Sequence, residues 1–231
     1  MVESITINPE TRTSKILFFD KIDLTQFTSN VIPLFGPNGA GKSTLLQSII
    51  DRGFRKSNDV TVNITKGIGT TFFAYRNSVD NFKNAEPRTI DQTYDPVFNK
   101  LKWDARLISE GQSVIFSIMD LLDHLYNEYK HVSESDVFVV LDEIDSGLSI
   151  DNIDVVMRKI KRITRISKQV QLMLSFNNPR VLKWFPEVLS MYDGTKIVLH
   201  TEDDMLREIV RHKKEFDKIR KTSKGRPKVY E

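Results

Sequence analysis

The stretch "FGPNGAGKSTLL", residues 35–46, follows the apolar run "VIPLF" and leads into the leucines of a helix beginning "STLLQSII". Gly36, Gly41, Lys42 and Ser43 fit Gly-x-x-x-x-Gly-Lys-[Ser/Thr], in the strand–loop–helix setting that this pattern requires. Glycines let the backbone curl so that successive N–H groups point inward at an anion. The helix start adds its partial positive charge. Residues Gly36, Pro37, Asn38, Gly39, Ala40, Gly41, Lys42, Ser43 and Thr44 therefore read as a cradle for nucleotide phosphates. Lys42 is expected on the β and γ phosphates, the Ser43 hydroxyl on Mg²⁺ and Thr44 on the α phosphate.

A partner for this loop lies about a hundred residues on. In "VFVVLDEIDSG" (137–147), an apolar run ends in Asp142 and Glu143. A strand apolar on both faces belongs inside a parallel sheet, and ligands gather at the carboxyl ends of such strands. Asp142 is expected to hold Mg²⁺, through water, and Glu143 to polarise an attacking water as general base. An acidic turn after a core strand is the plainer reading of the pair taken alone; the phosphate loop tips the balance.

The chain has 231 residues, 39% hydrophobic and 28% charged, as expected of one fair-sized globular domain. It has no cysteine, which excludes disulfides, thiolate metal sites and cysteine nucleophiles. The first residues, "MVESITINPE", do not resemble a signal peptide. No apolar run approaches the roughly 20 residues of a membrane span, so a cytoplasmic protein, not embedded in a membrane, is expected. Net charge is +3, but residues 211–231 carry nine Lys/Arg against three acids, leaving the tail at +6 and the body at −3. A basic tail can bind phosphate backbones; a solvated, fraying helix end is the alternative.

Patterning extends the α/β reading along the chain. "SITI" and "KILFFDKIDL" read as strands of an N-terminal sheet, and the helix after the loop is expected to end at "DRGF". "DVTVNI" and "GTTFFAY" read as strands. Residues 77–96, with Pro87 and Pro96, show no clear period and read as loop. "GQSVIFSIMDLLDHLYNEY" is a helix apolar around most of its circumference and expected to be buried. "QVQLMLSF" and "KIVLH" are further strands, and "DMLREIVRHKKEFDKIRK" is an amphipathic helix. In "DVVMRKIKRITRIS", Val155, Val156, Ile160, Ile163 and Ile166 are expected to line a buried stripe. Arg158, Lys159, Lys161, Arg162, Arg165 and Lys168 then lie on the other side without matching acids.

In "LISEGQSVIFSIMDLL", Ser109, Glu110, Gly111 and Gln112 open a helix shortly before the acidic strand. This resembles the Leu-Ser-Gly-Gly-Gln signature of ATP-binding-cassette (ABC) ATPases, with Ile108 for leucine and Glu110 for one glycine. The order of elements resembles that family over roughly residues 15–200. The resemblance implies a P-loop cassette fold: a mixed, mostly parallel sheet flanked by helices, an N-terminal antiparallel sheet and a reduced helical lobe over 77–130. It implies an ATPase domain over 1–205, followed by a basic helix and tail over 206–231. It also implies ATP and Mg²⁺ as cofactors, and an ATP-dependent homodimer in which one copy's signature helix caps the other's γ-phosphate. Ser146, Gly147, Leu148 and Ser149 match the D-loop, with Ser149 where the usual Asp stands. Asn177, in "LSFNNP", stands where the family has a γ-phosphate-contacting His; it can hydrogen-bond but carries no charge.

Other departures narrow the reading. No Gln lies between Gly53 and Asp91, so the Q-loop Gln is missing; Asn77 and Asp80 are weak substitutes. Phe18 and Phe19 are candidates for stacking on adenine, with core packing as the favoured role of both. The interval 77–108 is shorter than a transporter subunit's helical subdomain. "DEIDSGLS" and "SFNNPRVL" look more like the DNA-repair and chromosome-maintenance branch, of which small forms occur in phage and mobile elements. The expectation is a slow or partner-stimulated ATPase, working as a nucleotide switch in DNA or nucleoprotein handling. Arg158, Lys161, Arg162, Arg165, Lys213, Lys214 and Lys218 are its candidate nucleic-acid contacts, and an effector protein is a further candidate partner. The alternatives are the ATP-binding subunit of a transporter and a nucleotide-gated binding module with little hydrolysis.

Overall fold

The structure is a computed structural model and describes residues 1–55, 58–64, 70–76, 110–129 and 136–222. Its centre is a six-stranded sheet of β3 (Val31–Phe35), β5 (Thr70–Arg76), β6 (Asp136–Asp142), β7 (Val170–Ser175), β8 (Glu187–Ser190) and β9 (Lys196–Val198). The strand order is β5-β6-β7-β3-β8-β9; every pairing is parallel except β8 with β9. A second, antiparallel sheet has the order β2-β1-β4, from β1 (Val2–Ile7), β2 (Lys21–Asp23) and β4 (Val60–Ile64). Buried Gln171, on β7, ties the two sheets together: its side chain accepts from the Val2 N–H at 3.0 Å and donates to the Val2 carbonyl at 3.2 Å.

Alternation along β6 shows why its sequence is apolar throughout. Val137, Val139 and Leu141 enter one core, Phe138 and Val140 the other. The first core packs against α3 (Glu110–Tyr129) and α4 (Ile150–Ile166), and the second against α2 (Lys42–Arg55) and the small sheet. β3 holds a proline although it lies between two neighbours. The Asn30 carbonyl accepts from Leu172 of β7 and the Phe35 carbonyl accepts from Met191 beyond β8. By alternation, position 33 faces the β8 side, where pairing begins only at Leu34 with Leu189. The N–H that Pro33 lacks therefore has no ladder partner to disappoint.

Several sequence expectations are corrected. Most of "KILFFDKIDL" is not strand: Arg12–Ile16 form a short helix, α1, and only Lys21–Asp23 are extended. Thr11 caps α1, its Oγ1 accepting from the Ser14 N–H at 3.3 Å, and that local bond outweighs the β-preference of the following residues. α2 passes through Gly53 to Arg55 instead of ending at "DRGF". α3 buries Val114, Ile118, Leu121, Leu122 and Leu125 but leaves Phe116 51% exposed, so it is not buried all round. On α4 the buried stripe is Ile153, Val156, Met157, Ile160 and Ile163, while Val155 and Ile166 are exposed. Val156, Ile160 and Ile163 of the expected stripe are buried, and the 3.6-residue period adds Ile153 and Met157 in place of Val155 and Ile166. A 3₁₀ helix, Pro179–Lys183, and strand β8 were not anticipated. The chain ends its described part in α5 (Glu202–Thr222). Among the described residues, no helix is long and apolar enough to cross a membrane.

Candidate functional site

The carboxyl ends of β3, β6 and β7 bring the sequence's two phosphate elements together. The loop from Gly36 to Gly41 turns tightly: Gly39 and Gly41 have φ of +83° and +90°, where a side chain is strained. At Gly41 a Cβ would also lie 2.6 Å from Leu17 Cδ2, so the end of α1 packs directly on the loop. Gly36 is closed in as well, since its Cβ would sit 2.9 Å from that of Ala40. Lys42 opens α2, and its ammonium donates back across the loop to the carbonyls of Gly36 (2.5 Å) and Pro37 (3.3 Å). It is 9% exposed, and burial pushes its pKa down; Asp145, Asp142 and Glu143 oppose that shift.

Ser43 Oγ donates to Asp142 Oδ1 at 3.1 Å, across 99 residues of sequence. Ser175, at the end of β7, donates to the same oxygen at 2.6 Å, and its Oγ accepts from the Glu143 N–H at 2.6 Å. Glu143 has φ of +53°, which costs a non-glycine residue about 1 kcal/mol or more and turns the backbone sharply at the sheet edge. Asp145, 7% exposed, accepts from the backbone N–H of Asn177 (2.8 Å) and of Asn178 through Oδ2, while its buried Oδ1 makes no hydrogen bond. Burial pushes the Asp145 carboxyl above the usual value, against those bonds and the pull of Lys42.

Ser146 to Ser149 form the turn between this cluster and α4. The Ser146 N–H reaches the Glu143 carbonyl, the Leu148 N–H reaches that of Asp145, and Gly147 takes φ of +74°. Ser149 caps α4, accepting from the Asn152 N–H at 3.4 Å. Asn177 follows β7 with its side chain exposed. Phe18 is 57% exposed, whereas Phe19 is 8% exposed and packs against Gly194. Core packing thus holds for Phe19 and not for Phe18.

Glu110, Gly111 and Gln112 lie in the first turn of α3; Ser109, Asn77 and Asp80 lie outside the described residues, as does most of the lobe. Asp145 and Ser175 are the site residues that sequence reasoning missed. The first stands two positions after Glu143, and the second ends the strand parallel to β6, which is the signal each offered.

The basic surface differs from expectation. Lys159 pairs with Asp123, and Arg162 donates to the Tyr126 hydroxyl at 3.2 Å with its guanidinium over that ring. Arg158 Nε donates to the Asp154 carbonyl at 3.2 Å. These cations are held within the fold, so the face is not uniformly unmatched. On α5, Arg211 pairs with Glu208 at 3.2 Å, and Lys213 is exposed. Lys214 and Lys218 lie on the same helix, their side chains outside the description; residues 223–231 are also outside it.

No protein-family model and no curated protein sequence matches the chain. Solved structures do. An inward-facing ABC transporter of metal-chelate type superposes with a TM-score of 0.52 at 15% identity, covering 90% of this chain and 88% of that one. Stu0660 of Streptococcus thermophilus superposes with a TM-score of 0.52 at 12% identity, covering 90% of this chain and 80% of that one. The molecule thus has the fold of an ABC-type ATPase cassette: a mixed, mostly parallel sheet between helices, with an antiparallel sheet on its N-terminal side.

Proposed function

We propose that this chain binds Mg-ATP at the Gly36–Thr44 loop and hydrolyses it. The observation that carries the reading is the meeting of Ser43 Oγ with Asp142 Oδ1 at 3.1 Å, a loop hydroxyl and a strand carboxylate at the mouth of an anion cradle. Hydroxyl and carboxylate oxygens suit Mg²⁺, which takes one or two protein ligands and completes its shell with phosphate and water. No group of three His, Cys, Asp or Glu is needed for such a site, and none occurs among the described residues. Bound Mg²⁺ would neutralise phosphate charge. Lys42 binds the β and γ phosphates, and Thr44 the α phosphate. Glu143, turned out by its backbone, takes the proton of the attacking water, and Asn177 orients the γ-phosphate side. Exposed Phe18 offers a ring to the adenine.

Residues 1–205 carry this chemistry, with 206–231 as an appended helix and tail. The Ser109–Gln112 helix start and the Ser146–Ser149 turn meet a second copy's nucleotide in an ATP-dependent homodimer, which acts as a switch. Turnover is slow or partner-stimulated, since Asn177 carries no charge. Two loads for the switch have support. The transporter reading draws on the metal-chelate transporter neighbour. The DNA-handling reading draws on "DEIDSGLS", "SFNNPRVL" and exposed Lys161, Arg165 and Lys213. Co-purification with a membrane protein selects the first.

ATP titration with and without Mg²⁺ tests the site. Mg²⁺ should tighten binding to wild type and leave Asp142→Ala nearly unchanged. Equal Mg²⁺ dependence in both would remove Asp142 from the site.

A further inference from the structure

At the other end of β3 a cleft of about 570 Å³ opens between the start of the central sheet and α4. Its walls include Asn30, Lys161, Arg165, Lys168, Trp184 and Glu187. Lys161 and Arg165 stand four residues apart on one face of α4, and Lys168 follows in the turn just past its C-cap, so the end of one helix delivers three exposed cations to one opening. None of the three pairs with an acid among the described residues. The acid in the wall, Glu187, is already engaged: it accepts from the Thr28 N–H (2.8 Å) and hydroxyl (2.9 Å), with Lys196 at 3.5 Å. The cleft therefore carries an excess of positive charge directed at its contents.

Trp184 supplies the second component. Its Nε1 donates to Asp154 Oδ1 at 2.7 Å, and Arg180 holds the same carboxylate at 2.9 and 2.5 Å. These bonds hold the Asp154 carboxyl well below the usual carboxylate range, so it stays ionised and the indole stays oriented. The ring is half-buried, and two mobile ammonium groups stand over it, Lys161 Nζ at 5.8 Å and Lys183 Nζ at 5.9 Å from its centre, which an incoming base would displace toward its phosphates. A fixed aromatic ring beside a row of cations is the arrangement that stacks a base and neutralises the phosphates on either side of it. The volume falls within the range of about 300–1,000 Å³ usual for ligand sites.

We propose that this cleft binds a nucleotide through its base and phosphate, presented by single-stranded nucleic acid. The base stacks on Trp184, and Lys161, Arg165 and Lys168 hold the phosphates. The cleft is separate from the triphosphate loop, because Val31 lines it while Phe35, at the far end of the same strand, precedes Gly36. Five strand residues put roughly 15 Å between the two. Arg158 and Arg162, grouped with these cations by sequence, lie outside its walls.

The test titrates the full chain, with Trp103 replaced by Phe so that Trp184 is its one tryptophan, with oligothymidylate, thymidine monophosphate, duplex DNA and oligoglutamate, reading Trp184 fluorescence and binding of labelled probe. None of these carries a triphosphate, so failure here leaves the Mg-ATP reading standing, and the reverse holds. Oligothymidylate should quench Trp184 and bind with a log–log salt slope near −2, as about three phosphate contacts require. Reversing Lys161, Arg165 and Lys168 to Glu should cut affinity at least about tenfold, losing those contacts. Trp184→Leu should cut it about fivefold or more. Monophosphate binding as tightly as the oligomer would keep the cleft but make a free nucleotide its ligand. Equal binding of duplex DNA or oligoglutamate, no quenching, or full affinity in the charge-reversed variant would overturn the proposal. The three Glu substitutions alter exposed side chains only, so they test it even if Trp184→Leu fails to fold.

Discussion

The two ends of β3 handle positive charge in opposite ways. At the carboxyl end Lys42 is buried, bonded to its own loop and surrounded by three acids. At the amino end Lys161, Arg165 and Lys168 are exposed and line an open cleft. On the proposed function, the first arrangement holds unfavourable desolvation that an incoming triphosphate would relieve, and binding there would be local and weakly screened. The second costs the fold nothing and gives an attraction that salt weakens steeply. One strand thus separates a buried, internally bonded cation from a row of exposed ones.

The largest effect tests the buried end. Lys42→Ala removes the side-chain cation from the loop, and charged hydrogen bonds to two phosphates contribute about 1.5–3 kcal/mol each. ATP affinity should fall roughly a hundredfold or more. Calorimetry checks it, and near-native affinity would move the site elsewhere.

Comparable in size, but on turnover and not on affinity, is Glu143→Gln, which keeps the side chain's shape and removes its basicity. Turnover should fall about 10²–10⁴-fold while ATP still binds. Phosphate release and analytical ultracentrifugation read the two together: slow hydrolysis with accumulating ATP-bound dimers is expected. Wild-type turnover would place the base on another residue. Ser109→Arg separates dimerisation from binding, since ATP affinity should hold while the dimer and turnover are lost. Normal ATP-dependent dimers in that variant would leave Ser109 as a helix cap alone.

Legibility in the sequence followed the range of the interactions. The tight Gly36–Gly41 turn into α2 was readable because its glycines, lysine and serine lie within eight consecutive residues. Asp142 and Glu143 were readable because a strand apolar on both faces announces its own end. Ser175 and Asp145 were not, because their roles come from the register of β6 against β7 and from the path of the chain after β7. α1 was misread as strand because "KILFF" favours β while its helix depends on a cap at Thr11, upstream of the apolar run. The cationic face was misjudged because Asp123 and Tyr126, which take up Lys159 and Arg162, sit on another helix.

The smallest effect concerns Asp145, and pH resolves it. Burial raises its folded pKa above 3.8, so the folded state holds this proton more tightly than the unfolded chain does. Stability then falls as pH rises from 3.8 through the raised folded value, because the carboxylate must ionise while buried. Asn in its place keeps an oxygen for the N–H groups of Asn177 and Asn178 and stays neutral throughout. Asp145→Asn should therefore lose that acid-side slope and remain within about 1 kcal/mol of wild type at neutral pH. A second readout separates electrostatics from packing. Asp145 is the first of the three acids that hold up the Lys42 pKa against burial. Without it Lys42 loses its proton at lower pH, and the alkaline decline of ATP affinity should begin earlier than in wild type. Chemical denaturation across the acid range and ATP titration across the alkaline range supply the two curves. If both coincide with those of wild type, the Asp145 carboxylate does not act on Lys42.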